Sequence, residues 1–321
     1  MDWPAGVTTR PLRPEDVPAV VEVANAIAEA DQSGQYVTAE GFSDAIADLD
    51  LAKDSMAVCD ADGLAGYGLV DPPQVRDGQS VAEAKGGIHP RSRRTGLGGP
   101  LLAWQTNRAR ERAADVVDVE VEAIATGALA MLASQGFQPV RYFEVMRRWY
   151  DDQPVSARPL PAGFTIIRFE PSYDERLRLA HNEIFRDHWG VSEKDDAAWR
   201  RWFTGSRHFR AEWSSVVLDA DRVAAYAFGY EFPIDTERTG YRELWIGQVG
   251  TRREYRCQGL ARAAISTSLR IARTDGCDRS ALGVDVDSPT GATRLYDSLG
   301  FKTVSRTILH RLSLVRRSAP G

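Results

Sequence analysis

Arg93-Arg94-Thr95-Gly96-Leu97-Gly98 and Arg256-Cys257-Gln258-Gly259-Leu260-Ala261 carry one pattern twice, R-x-x-G-x-[G/A]. Each copy follows a strand-like run and precedes a helix-like run. Such a turn aims successive backbone N–H groups into a concavity at a helix N-terminus, which suits a pyrophosphate. One copy would carry little weight, because short glycine patterns arise by chance. Two copies in matching surroundings point to a duplicated domain that binds a phosphorylated cofactor.

The order of elements repeats around the two turns. In the first half a strand at 7–12 and helices at about 14–30 and 41–51 precede a hairpin from Met56 to Val70. A strand at 81–88, the turn, a helix at about 98–114, a strand at 116–124, a helix at 127–135 and a closing strand at 137–148 follow. The second half runs in the same order: strand 164–168, helices 174–185 and 193–203, hairpin 215–232, strand 243–251, turn, helix 260–275, strand 280–286, helix 291–299 and closing strand 301–314. Gly136 and Gly300 end the short helices as left-handed caps. Pro154, Pro159 and Pro161 favour an extended linker between the halves. The expected plan is a first domain over 1–150, a linker over 151–162 and a second domain over 163–321. The fold class is mixed α/β, two tandem units, each a twisted, mostly antiparallel sheet flanked by helices.

Composition narrows the function. The 321 residues are 43% hydrophobic and 26% charged, which suits a globular protein with two cores. A net charge of −5 gives no basic field, so nucleic acid is not expected as a partner. No apolar run nears the roughly 20 residues that span a bilayer, so no membrane partner is expected. Met1-Asp2-Trp3-Pro4 lacks the features of a signal peptide. Cys59, Cys257 and Cys277 are odd in number and scattered, which fits a reducing cytoplasm. Neither they nor the five histidines show metal-ligand spacing, so no metal is expected.

Strand, R-x-x-G-x-[G/A] turn, long helix, strand, short helix and Gly-Phe resemble the GNAT acetyltransferase superfamily. The run from Thr251 to Ala261 (TRREYRCQGLA) is similar to its acetyl-CoA turn. Asp285 to Phe301 (DVDSPTGATRLYDSLGF) is similar to its later motif. Ile88-His89-Pro90 through Gly98 resembles the same turn in the first half. Two such units in one chain resemble the mycothiol synthase family and its actinobacterial relatives, which implies a degenerate first unit and an active second one. Two departures stand out. Ser288 replaces the usual Asn, and Cys257 stands where glycine is common.

The resemblance implies acetyl-CoA as cofactor. Its diphosphate would lie on Arg256, Cys257, Gln258, Gly259, Leu260 and Ala261. Gln248, Val249 and Thr251 would bond the pantetheine amides and polarise the thioester carbonyl, and Ser288 would be a further cofactor contact. The alternative is an ordinary buried strand with a helix cap. Tyr296 stands where the family places the tyrosine that protonates the leaving thiolate; otherwise it is a core aromatic beside Leu295 and Leu299. Glu243 or Glu231 could relay the amine proton through water, or simply be solvated. His188 and Trp189, in the segment Phe185 to Gly190, could line an amine pocket, or His188 could be a satisfied loop histidine.

In the first half, Ile88, Arg93, Arg94, Thr95, Gly96, Leu97 and Gly98 form the corresponding cofactor turn. Arg91, Arg93 and Arg94 could grip a 3′-phosphate or face water. Leu132 aligns with Tyr296 and cannot donate a proton. The expected activity is acetyl-CoA-dependent N-acetylation of a small-molecule primary amine by direct attack in a ternary complex. The alternatives are a non-catalytic acyl-CoA sensor and an acetyltransferase for protein N-termini or lysines. Either a monomer or a homodimer is compatible with the sequence.

Overall fold

The computed structural model describes residues 2–151, 155, 160–186, 193–287 and 291–315. The chain divides into two compact units, one of residues 1–143 and 305–321, the other of 144–304. The segment 301–314, expected to close the second half, therefore contributes mostly to the first unit. The closing strand expected at 137–148 likewise contributes its last residues to the second unit. Both segments are final strands of a duplicated plan, so either satisfies the same sheet edge.

The first unit holds β1 (Thr8–Arg10), α1 (Val17–Ala30), α2 (Ala39–Ile46), α3 (Leu51–Asp54), β2 (Ser55–Asp60) and β3 (Gly63–Val70). After them come β4 (Gln74–Arg76), β5 (Gln79–Ile88), α4 (Gly98–Glu111), β6 (Val116–Glu122) and α5 (Thr126–Ser134). The strand β7 (Gln138–Trp149) runs from residues of the first unit into residues of the second. The second unit continues with β8 (Phe164–Arg168), α6 (Asp174–Phe185), α7 (Asp196–Trp202), β9 (Phe209–Asp219), β10 (Arg222–Tyr230) and α8 (Pro233–Thr239). Then follow β11 (Glu243–Thr251), α9 (Leu260–Thr274), β12 (Arg279–Asp285), α10 (Ala292–Ser298) and β13 (Lys302–Ser313), whose residues from 305 onward belong to the first unit.

Within the first unit the strands run β1-β2-β3-β5-β6-β13, with β4 on β5. Within the second they run β8-β9-β10-β11-β12-β7. Two neighbouring pairs are parallel, β5 with β6 and β11 with β12, and the other pairs of known register are antiparallel. Hence each sheet is mixed and mostly antiparallel.

Periodicity explains the helix that follows the second turn. Leu260, Ala264, Ile265, Leu269 and Ala272 of α9 recur at helical spacing and are buried in one cluster with Leu244, Ile246, Leu282 and Phe301. The opposite face of the sheet carries a second core under α6 and α7, rich in rings: Trp199, Phe203, Tyr226, Phe228 and Tyr230. Gly276 ends α9 with φ +86°, and the Cys277 amide donates to the Ala272 carbonyl at 2.9 Å. That is the left-handed stop expected of a helix C-terminus.

The duplication is visible in small details. Phe137 donates its amide to the Leu132 carbonyl at 3.1 Å, and Phe301 donates to the Tyr296 carbonyl at the same distance. Gly136 and Gly300, just before them, have φ of +86° and +88°. Leu132 and Tyr296 thus occupy equivalent places, both buried.

Candidate active site

The second turn alternates its backbone hand. Arg256 has φ −68° and ψ 161°, Cys257 has φ +61°, and Gly259 has φ +80° as the N-cap of α9. In the first unit Arg93 has φ −68°, Arg94 +66° and Gly96 +89°. The two turns share one conformation, and it is the kind that gathers N–H groups into an anion-binding concavity. A Cβ at Gly259 would meet nothing within 4 Å, so backbone conformation and not crowding calls for glycine there. Cys257 carries the same left-handed geometry with a side chain, which explains why glycine is common at its place. Gln258 and Gly259 are exposed, and Leu260 anchors the helix start in the core at 1% exposure.

The strand leading to this turn loses one neighbour midway. β11 pairs with β12 from Glu243↔Arg279 to Ile246↔Leu282. Beyond that pair β11 runs on to Thr251 and β12 to Asp285 without pairing. The edge of Gly247 to Thr251 that faces β12 is therefore left open. Buried backbone donors and acceptors need partners, and this open edge offers them to a ligand. The Thr251 hydroxyl is also buried without a hydrogen-bond partner among the described residues. Gln248, Val249, Thr251 and the turn from Arg256 to Ala261 thus form one continuous margin. An elongated molecule with amides at one end and a diphosphate at the other fits it.

Tyr296 projects from α10 into the core of Leu260, Leu282, Leu299 and Phe301, with 8% of its surface exposed. Its ring meets Phe301 edge-on at 6.3 Å. Burial pushes the phenol pKa up to about 12. The hydroxyl makes no hydrogen bond among the described residues. It is a neutral O–H donor across the physiological range.

The two glutamates fare differently. Glu231 follows β10, and its carboxylate is held by Arg210 at 2.9 Å and Arg242 at 2.7 Å. Burial opposes its ionisation, but the two guanidiniums prevail and lower the pKa. Arg242 also donates to the Asp275 carbonyl, just past the C-terminus of α9. Because a 15-residue helix is roughly 22 Å long, Glu231 stands a helix length from the turn at the other end. The structure does not bring it to the site.

Glu243 lies at the start of β11, 6% exposed, with Arg147 at 2.6 Å and Arg279 at 2.7 Å. Arg279 lies over the rings of Trp149 and Tyr241, at 5.1 and 5.0 Å, and the two rings meet each other edge-on at 4.7 Å. Glu243 precedes the parting of β11 and β12 by three residues, about 10 Å along the strand.

His188, Trp189 and Ser288 lie outside the described residues. In the first unit the turn is present, but two of its three arginines are engaged. Arg93 grips Asp31 with two bonds of 2.7 and 2.8 Å, and Arg91 meets Asp60 at 3.1 Å. Arg94 is exposed. Ile88 ends a strand that parts from β6 after Ala84↔Val119, as β11 parts from β12. Thr95 Oγ1 donates to the Ser92 carbonyl, Leu97 is buried, and a Cβ at Gly98 would lie 2.9 Å from Met131 Sδ. Leu132, at 1% exposure, fills the place of Tyr296.

Comparison with known proteins agrees with this geometry. Residues 175–301 match the model of the Acetyltransferase (GNAT) family. A mycothiol acetyltransferase of Thermobispora bispora is 31% identical over 260 residues, 78% of this chain and 81% of that protein. The chain belongs to the GNAT acetyltransferase family. A second mycothiol acetyltransferase, from Catenulispora acidiphila, is 27% identical over 96% of this chain and 98% of its own length. Among solved structures, a GCN5-related N-acetyltransferase from Sphaerobacter thermophilus superposes with a TM-score of 0.77 at 27% identity, covering 98% of each chain. A tandem GNAT protein from the clavulanic acid biosynthesis pathway shares the fold, with a TM-score of 0.71 at 16% identity over 97% of this chain and all of that one. The protein is thus a GNAT N-acetyltransferase with the tandem architecture. Among the described residues no helix is long and apolar enough to cross a membrane.

Two neighbours of the site escaped the sequence reading. Tyr226 on β10 packs its ring over Gly250, where a Cβ would come within 2.5 Å, and its hydroxyl meets His181 Nδ1 at 2.7 Å. Tyr230 does the same over Gly247, also at 2.5 Å, and bonds Gln248. The signal was two tyrosines spaced by four on one strand opposite two glycines on the next. It becomes readable only once the register of β10 on β11 is known.

Proposed function

We propose that the second unit transfers an acetyl group from acetyl-CoA to the primary amine of a small molecule, by direct attack within a ternary complex. The observation that carries the reading is the parting of β11 from β12 immediately before a two-handed turn at the N-terminus of α9. The open edge, Gln248 to Thr251, holds the pantetheine arm, and the turn from Arg256 to Ala261 holds the diphosphate. On the sequence reading, Ser288 joins the cofactor contacts. Acetyl-CoA supplies an activated thioester. The chain fixes it, orders the amine and manages two protons.

Tyr296 gives its proton to the departing thiolate. The Tyr296 hydroxyl has no competing partner among the described residues, and burial keeps it protonated. Glu243 stands on the face of β11 that carries Trp245 and Gln248, and it takes up the amine proton through water. Its two arginines, Arg147 and Arg279, fix the carboxylate in place. On the sequence reading, His188 and Trp189 supply contacts to the amine. The first unit keeps a turn that suits acetyl-CoA, on Ile88 and Arg93 to Gly98, but Leu132 has no proton to give. It serves as a binding or supporting unit, which is why the chemistry is assigned to the second.

The likeness to mycothiol acetyltransferases makes the mycothiol precursor amine one candidate acceptor, beside other small-molecule amines. Release of free thiol from acetyl-CoA across an amine panel tests the reading. Tyr296→Phe should lower turnover by about 100-fold or more while acetyl-CoA binding persists. Binding without thiol release for every amine, in the unaltered protein, would favour an acyl-CoA sensor instead. Release with peptide amines alone would favour a protein acetyltransferase.

A further inference from the structure

β11 breaks its register on β10 at one place. Gln248 pairs with Phe228, but Ile246 pairs with Gly229, so Gly247 is an extra residue. Such a bulge turns two consecutive residues toward one face. Gly247 and Gln248 both meet Tyr230. A Cβ at Gly247 would lie 2.5 Å from its ring, and its hydroxyl donates to Gln248 Oε1 at 3.0 Å. The ring of Tyr230 is locked in the core under α6 and α7, with 6% of the residue exposed. The carboxamide is therefore fixed at its oxygen. Its Nε2 still carries two donors and has no partner among the described residues.

The surroundings suit a small organic molecule. Gln248 is half-buried, and so are Trp245, Phe185 and Phe232 of the same apolar cluster. A Cβ at Gly283 of β12 would stand 3.9 Å from the Trp245 ring, which places that ring where β11 and β12 begin to part. The first unit has no counterpart. There β3 pairs with β5 without a shift, from Gly66↔Ile88 to Val70↔Ala84. The bulge and its amide belong only to the unit that keeps the tyrosine on its short helix.

We propose that Gln248, held by Tyr230, binds a hydroxyl or carbonyl oxygen that the acceptor carries one carbon away from its amine-bearing carbon, and so selects among amines. The proposal rests on the acetyl-transfer reading of the second unit. Neighbouring strand residues stand about 3.3 Å apart. An amine attacking a thioester held on the Val249 backbone therefore brings its next carbons within reach of the Gln248 amide. Gln248 touches the substrate, and Tyr230 is a positioning residue.

A matched pair of acceptors tests this: 1-amino-2-propanol and isobutylamine, which differ by a hydroxyl in place of a methyl. The quantity read is the ratio of their kcat/KM values, which does not depend on the fraction of active protein. The unaltered enzyme should prefer the amino alcohol. Gln248→Leu should reduce that preference about three- to tenfold, as loss of one neutral hydrogen bond implies. Tyr230→Phe keeps the ring on Gly247 but frees the amide. It should reduce the preference in part, through a higher KM for the amino alcohol with little change in kcat. An unchanged ratio in Gln248→Leu overturns the proposal and leaves acetyl transfer standing. Absence of thiol release from every amine in the unaltered protein overturns acetyl transfer, and the proposal with it.

Discussion

At the scale of single residues, the account turns on conformation as much as on chemistry. Cys257 is an L-residue at φ +61°, a geometry that costs on the order of 1 kcal/mol. Cys257→Gly should raise the thermal midpoint and keep or tighten acetyl-CoA binding. Cys257→Val, β-branched at a left-handed position, should lower the midpoint and weaken binding. Calorimetric titration and thermal melts measure both. Tyr296, Gly259 and the turn could be found from the chain because their motif is local in sequence. The partners of Glu231 could not. Arg210 and Arg242 lie 21 and 11 positions away, and nothing in the local pattern shows that both end on one carboxylate. A glutamate at a strand end reads alike whether it is a base or a brace.

Elements were easier to read than side-chain partners. The strands Phe164–Arg168 and Glu243–Thr251 and the helix Asp174–Phe185 have the bounds their periodicity predicts. The helix α8, which opens on Pro233, is absent from the sequence reading: seven residues are too few to show a helical period. The bulge at Gly247 was also hidden, since it depends on a neighbouring strand. In the first unit β6 sets two acids, Glu120 and Glu122, where that strand has parted from β5. Burial, then Glu120 and Asp31, push the Glu122 pKa up to about 7. A carboxylate with a raised folded pKa contributes stability that is complete below its unfolded value, near 4.5, and is lost as pH rises through about 7. Glu122→Gln should therefore gain on the unaltered protein in thermal midpoint between pH 5 and pH 8. A constant offset between the two melts would contradict this.

On the scale of the whole molecule, one plan occurs twice with different endowments. Both units keep the turn and the parted parallel strands, yet one carries leucine and the other tyrosine at the equivalent place on the short helix. The repeat of a whole order of elements was legible because each half preserves it in sequence. The grouping of residues 305–321 with the first unit and 144–149 with the second was not, because equivalent final strands carry no label saying which sheet they complete. A Leu132→Tyr variant should not by itself give the first unit activity, since β5 begins its parallel pairing at Val81 where β11 begins at Glu243; adding it to Tyr296→Phe should leave thiol release at the level of Tyr296→Phe alone. Hydrogen exchange of the full chain with and without acetyl-CoA tests the central claim most directly, because it reports on each unit separately. Exchange of the amides from Gln248 to Thr251 and from Cys257 to Ala263 should slow when acetyl-CoA is bound. Saturating acetyl-CoA that leaves those amides unchanged would contradict it.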